Sequence, residues 1–250
     1  MGICAYCDRD RRLTREEVFP GFLLRRRPTY RTFIDHSREG RVLRSPPTVR
    51  DVCGPCNNGP LSLLDSYAKT LDERFFSVFV DIPVSITLRY SYGRLVRWLL
   101  KVCYNDARST RRLVEEHRRF RGYILGPHNR APGPLDVFAG VIAPSPPTLE
   151  ERKAGLSEAL YPPAIRIGHF KMIPVVADAL ALCRLVSIGS YLFVIAVWRP
   201  GVRPLIRRAT LRAMTTRRGF GFLNRGDDRI VLRVACTHAR RFFSSVRGEF

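Results

Sequence analysis

Four cysteines arranged as two Cys-x-x-Cys pairs, Cys4-Ala-Tyr-Cys7 and Cys53-Gly-Pro-Cys56, are the residues whose type and spacing most clearly point to chemistry. Two such knuckles bring four thiolates to one tetrahedral centre, and a Zn²⁺ ion held there contributes folding free energy directly. Redox use of Cys-x-x-Cys needs a strand ahead of it and a helix N-terminus that depresses the thiol pKa. Only three residues precede Cys4. Disulfide use belongs to secreted chains, and no basic stretch followed by an apolar run opens the sequence. Structural zinc is therefore the expectation for Cys4, Cys7, Cys53 and Cys56. Cys103, Cys183 and Cys236 stand singly among apolar neighbours and read as small core residues. An odd total of seven cysteines fits a reducing, cytoplasmic setting.

Charge is the second signal. The 43 Lys and Arg against 22 Asp and Glu give a net charge of +21, a field that draws polyanions and makes their binding salt-dependent. Lysines are confined to Lys69, Lys101, Lys153 and Lys171, as codon bias in a GC-rich genome would produce, but such bias does not explain the shortage of acids. The arginine clusters Arg25-Arg26-Arg27, Arg111-Arg112, Arg118-Arg119, Arg207-Arg208, Arg217-Arg218 and Arg240-Arg241 are spread along the chain. That spread suits a broad phosphate-binding surface better than a basic tail. Nucleic acid, DNA ahead of RNA, is the expected partner. The longest uncharged stretch, Leu185 to Trp198, is 14 residues, short of the roughly 18 to 20 that span a bilayer.

Other chemistries lack support. There is no Gly-x-Gly-x-x-Gly, no phosphate-cradling Gly-Lys-Ser loop and no serine in a nucleophile elbow. His117, in Glu115-Glu116-His117-Arg118, has no second histidine four residues away, and His128, His169 and His238 are isolated in sequence. His36, in Ile34-Asp35-His36-Ser37, reads as a loop histidine, with an imidazole donated to a distant site as the alternative.

The cysteine pairs must be positioned by the elements that the rest of the chain forms. Leu13 to Pro20 reads as a short strand or loop entering a turn, and 30–50 as an extended, Arg-rich insertion broken by Gly40 and Pro46-Pro47. Apolar residues at helical spacing predict a helix over 60–74, with Pro60 in its first turn. Strands are expected at 75–80, 83–90, 122–125, 137–142, 164–173, 179–186, 191–198 and 229–235, with a Gly189-Ser190 hairpin turn. Helices are expected at 95–107 and, strongly basic, at 111–120. In the first of these, Leu95, Trp98, Leu99, Val102 and Cys103 form an apolar stripe. Arg94, Arg97, Lys101 and Arg108 populate the other side, where they meet either solvent or phosphates.

Residues 4–65 resemble the zinc-knuckled branch of the HNH endonucleases. The segments that carry the resemblance are Cys4-Ala-Tyr-Cys7, Leu13-Thr-Arg-Glu-Glu-Val-Phe-Pro20 and Cys53-Gly-Pro-Cys56-Asn57, followed by a helix. The resemblance implies a ββα-metal fold in which a hairpin and a helix hold one divalent ion, Mg²⁺ or Mn²⁺, against a scissile phosphate. By position, Glu16 and Asp65 fall on ion-ligand positions, Glu17 falls on the general base and Asn57 on the asparagine that supports the base strand. The base is a histidine in the family, so Glu17 is a departure, and a carboxylate beside a metal is the weaker base. Read from the residues alone, Glu16 and Glu17 are equally an acidic pair at the surface, and Asp65 a helix-surface acid.

The expected fold class is α+β, with an HNH-like zinc-stabilised ββα-metal module over 1–74 and a mixed α+β domain over 75–250. Three functions remain open: a metal-dependent endonuclease, a nucleic-acid-binding protein on a degenerate HNH scaffold without catalysis, and a zinc-stabilised module that binds a protein partner.

Overall fold

The computed structural model describes residues 1–25, 33–35, 41–43, 46–80, 85–126, 131–153, 155, 165–170, 178–217 and 219–238. His36 lies outside them, as does the side chain of Cys236. Mixed helix and sheet are divided between two compact units, one of Met1–Arg74 with Tyr90–Leu135, the other of Phe75–Arg89 with Asp136–Phe250. The expected division after residue 74 is where the chain first leaves the first unit. Residues 90–135 then return to it, because the long helix within them buries Leu95, Trp98, Leu99, Val102 and Cys103 there. Among the described residues no helix is long and apolar enough to cross a membrane.

In the first unit β1 (Gly2–Ile3) and β2 (Asp10–Arg11) flank the first knuckle. β3 (Leu13–Glu17) leads into α1 (Gly21–Arg25), and β4 (Phe33–Asp35) pairs with β5 (Arg41–Leu43). β3 also pairs antiparallel with β6 (Thr48–Cys53), from Leu13 opposite Cys53 to Glu17 opposite Thr48. An extra β6 residue is inserted between the Thr14–Val52 and Glu16–Val49 pairs, a bulge that re-aims the strand at Glu16. α2 (Gly54–Cys56) follows at once, and non-helical Gly59 with Pro60 kinks the chain before α3 (Ser62–Leu71). α4 (Tyr92–Thr110) ends on left-handed Arg111, and α5 (Val114–Arg118) and α6 (Arg121–Leu125) complete the unit. Residues 122–125 are thus helical where a strand was expected. The run is too short for periodicity to separate the two, and burying adjacent Tyr123 and Ile124 decides the matter.

The second unit is a mixed sheet of β7 (Ser85–Arg89), β8 (Leu135–Ala143), β9 (Ile165–His169), β10 (Leu180–Ile188), β11 (Tyr191–Trp198), β12 (Gly221–Phe222) and β13 (Arg229–His238). Its described order is β7-β13-β8-β11-β10-β9, with β12 also on β8; β13 is parallel to β8 and antiparallel to β7. Every residue of β8 and β11 is buried, so both faces are covered, and their sequences are near-continuous apolar runs accordingly. On one face Leu192, Val194, Ala196 and Trp198 join Phe138, Phe170, Met214 and Phe220, packed with Ile206 of α8 (Pro204–Arg212). On the other, Phe76 meets Tyr191 and Phe193 with ring centroids 5.1 and 5.8 Å away. That contact accounts for the missing strand at 75–80: Phe76 ends a wide helical turn, Asp72–Phe76, instead. α7 (Leu149–Lys153) is a single short helix, and α8, unanticipated in the sequence, starts with Pro204 in its first turn.

Gly189 turns the β10–β11 hairpin with φ +57°, and a Cβ there would sit 2.8 Å from the Phe76 carbonyl oxygen. Gly189→Val is therefore expected to cost about 1–3 kcal/mol in urea unfolding, and a loss below about 0.5 kcal/mol would contradict this placement.

Candidate metal centre and the buried cation beside it

The Cys4, Cys7, Cys53 and Cys56 sulfurs lie within 4.8 Å of one another. Tetrahedral zinc with Zn–S of about 2.3 Å holds its sulfurs about 3.8 Å apart, and Cys7 and Cys53 stand at 3.7 Å. The four thiols could thus hold a metal ion such as zinc. Local structure explains the convergence. The first knuckle is a tight turn in which Asp8 N–H donates to the Cys4 carbonyl, and Asp8 adopts the left-handed conformation that Asp tolerates. The second knuckle sits where β6 passes into α2, and the Cys53 N–H donates to the Cys4 sulfur at 3.3 Å. Burial acts to raise the Cys4 thiol, but backbone donors from Cys53, Cys7 and Tyr6 outweigh it and lower the thiol to about 7. Burial pushes Cys53 and Cys56 up. Binding an ion would therefore displace protons from the second knuckle in particular.

The intervening residues tie this centre to α4. Tyr6, 2% exposed, donates its hydroxyl to Asn105 Oδ1 at 2.8 Å and packs edge-on against Tyr104. The Arg108 guanidinium lies over both rings, 4.9 and 4.5 Å from their centroids, pairs with Asp51 and donates to Asn105 Oδ1.

One helical turn back from Asn105 lies the most unusual group of the unit. Lys101 is fully buried, and its Nζ is 2.6 Å from Glu16 Oε1 and 2.5 Å from Asp65 Oδ2. Trp98 Nε1 donates to Asp65 Oδ1 at 3.2 Å, and Asn105 Nδ2 donates to the Glu17 carbonyl at 3.0 Å and lies 3.4 Å from Glu16 Oε1. Residues 98, 101 and 105 share one face of α4 by their spacing. The sequence pattern put Lys101 on the polar side. It is instead sealed inside, and its neighbours are engaged as well: Arg97 donates to the Gly126 carbonyl, Arg94 lies over Tyr67 and Arg108 is clamped as above. A buried ammonium is tolerable only with anionic partners at hydrogen-bond distance. Asp65 bears part of that cost: burial raises its carboxyl above the ordinary range, against the pull of Lys101.

Of the residues singled out in the sequence, Glu16 and Asp65 are brought together and Glu17 is not with them. Strand alternation turns Glu17 the other way, with its Oε2 2.9 Å from where a Gly21 Cβ would stand and the Arg25 guanidinium equally close to that point. Asn57 Nδ2 donates to Thr14 Oγ1 and to the Arg15 carbonyl at 3.0 and 3.1 Å, gripping β3 just before Glu16. The carboxylates expected to ligate Mg²⁺ or Mn²⁺ therefore do not fit that role. The point on which they converge holds an ammonium, and a hard divalent ion would need it as well as room for waters. Comparison with protein-family models, with curated proteins and with solved structures found no match.

Chelator treatment and Cys53→Ser should each lower the thermal midpoint and release about one zinc per chain; a zinc-free protein of unchanged stability would contradict the metal centre. Lys101→Ala should cost about 3–5 kcal/mol by leaving buried Glu16 and half-buried Asp65 facing one another without a cation. The neutral triple variant Glu16→Gln/Asp65→Asn/Lys101→Met should recover most of that. If the single and triple variants are equally unstable, packing rather than charge decides the site.

Proposed function

We propose that this chain is a nucleic-acid-binding protein on a zinc-stabilised, HNH-like scaffold, and that it grips phosphodiester backbones without hydrolysing them through a divalent ion. The observation that carries this reading is the Lys101 ammonium between Glu16 and Asp65. A metal that acts on phosphate has to be reachable by substrate and water. Lys101 is 0% exposed, so the cation at this point can contact neither. The HNH-like scaffold is supported by the four cysteines, by a β3–β6 pair followed by α3, and by Asn57 bonded to the strand that carries Glu16. Glu17, the residue at the base position, is directed toward Gly21 and Arg25, which further weakens a hydrolytic reading.

Binding is supported by the net charge and by where the arginines lie. Arg9, Arg12, Arg15, Arg111, Arg112, Arg118 and Arg119 are exposed in the first unit, and Arg89, Arg199, Arg229 and Arg233 are among those exposed in the second. Some are shared with acids, as Arg118 is with Asp8 and Glu115, yet cations remain in excess.

Affinity for a labelled DNA duplex should fall by a factor of about 10³ or more between about 50 and 200 mM salt, as several phosphate contacts require. Plasmid should stay intact in Mg²⁺ or Mn²⁺. Salt-independent affinity would remove the nucleic-acid reading, and metal-dependent nicking abolished by Asp65→Asn would restore the nuclease.

A further inference from the structure

The second unit carries a basic surface that neither the zinc centre nor the Lys101 pocket uses. β7 and β13 pair antiparallel, with Arg89 opposite Arg229, Thr87 opposite Val231 and Ser85 opposite Arg233. These six residues are all exposed, whereas Leu88 and Leu232, between them in sequence, are buried at 0 and 1%. Strand alternation therefore presents Arg89, Arg229 and Arg233 on one outward face with a serine, a threonine and Val231, and none of these six is an acid, the exposed Asp227 and Asp228 lying just ahead of Arg229. None of the three arginines is ion-paired among the described residues.

Two like charges directly opposite on adjacent strands destabilise a sheet, and Arg89 faces Arg229 in that way. Charges on an edge strand do serve to prevent sheet-to-sheet association. That explanation does not require arginines directly opposite one another, and over 229–233 β13 pairs only with β7 among the described residues, its pairing with β8 beginning at Val234. What relieves all three is an anion chain laid along the strand. Arg229 and Arg233 are four residues apart, about 13 Å along β13. That spans roughly four steps of a nucleic-acid strand at about 3.4 Å per phosphate. Hydroxyls of Ser85 and Thr87 add neutral phosphate donors, and a contact set of this composition positions a backbone without reading bases.

We propose that the outward face of the β7–β13 pair, built on Arg89, Arg229 and Arg233, is a docking surface for the phosphodiester backbone of a nucleic acid. The proposal rests on the nucleic-acid-binding reading above and locates part of it.

The test compares two variants of the full, zinc-loaded chain that lose the same charge: Arg89→Gln/Arg229→Gln/Arg233→Gln on the ladder, and Arg203→Gln/Arg208→Gln/Arg212→Gln on α8 and the residue that caps it. Binding of labelled DNA and RNA oligonucleotides is followed by anisotropy across the salt range. The ladder variant should reduce the slope of log affinity against log salt by about 2–3, three contacts at about 0.7–0.9 each, and the α8 variant by less than about 1. Arg229→Gln alone should leave the thermal midpoint unchanged or raise it when no nucleic acid is present, because an opposed charge is removed. Equal losses in the two triple variants would reduce the effect to net charge and overturn the assignment. So would a ladder variant that keeps the wild-type slope, or one that loses binding to anionic lipid vesicles but not to oligonucleotides. A wild-type chain that binds no oligonucleotide overturns the underlying reading too, so the two failures are distinguishable.

Discussion

An ammonium group removed from water loses several kcal/mol of hydration, and only anionic partners at hydrogen-bond distance make its burial tolerable. Lys101 meets that condition with Glu16 on β3 and Asp65 on α3, so one side chain of α4 pins a strand and two helices to a common point. Removing the cation leaves two carboxylates facing one another without it. The return of residues 90–135 to the first unit follows from the same constraint, since α4 supplies the cation and an apolar stripe that only the first unit covers.

The cysteine centre and the cation pocket are physically continuous. Tyr6, inside the first knuckle, bonds to Asn105, Asn105 bonds to the Glu17 carbonyl beside Glu16, and Arg108 seals the group by stacking on Tyr6 and Tyr104. A metal ion at the cysteines would fix Tyr6 and hence the register of Asn105. The place between the Glu16 and Asp65 carboxylates is thus filled by a charge of the chain's own. In the proposed function, phosphate contact would fall to surface arginines, which act by counterion release and need no activated water.

Much of the frame was legible in the sequence. The knuckles are readable because metal ligation imposes a fixed local spacing, whereas Glu16, Asn57 and Asp65 were singled out only through the resemblance to HNH endonucleases. Lys101 was not legible. Helical periodicity assigned it to the polar side of α4, and a lysine there reads as solvated until its two carboxylates are seen in space. The Arg89, Arg229 and Arg233 ladder was hidden for a related reason, because pairing of β7 with β13 joins residues far apart in the chain. Errors at 75–80 and 122–125 fell on short apolar runs, where tertiary packing of Phe76, Tyr123 and Ile124 overrides local pattern.

The central claim is that the cation between Glu16 and Asp65 belongs to the chain. It is tested most directly by anomalous diffraction from crystals soaked in Mn²⁺. The account predicts a zinc peak bounded by Cys4, Cys7, Cys53 and Cys56, no manganese peak between the two carboxylates, and continuous density from the Lys101 backbone to a point between them. A manganese peak bridging Glu16 and Asp65, with Lys101 displaced, would contradict it.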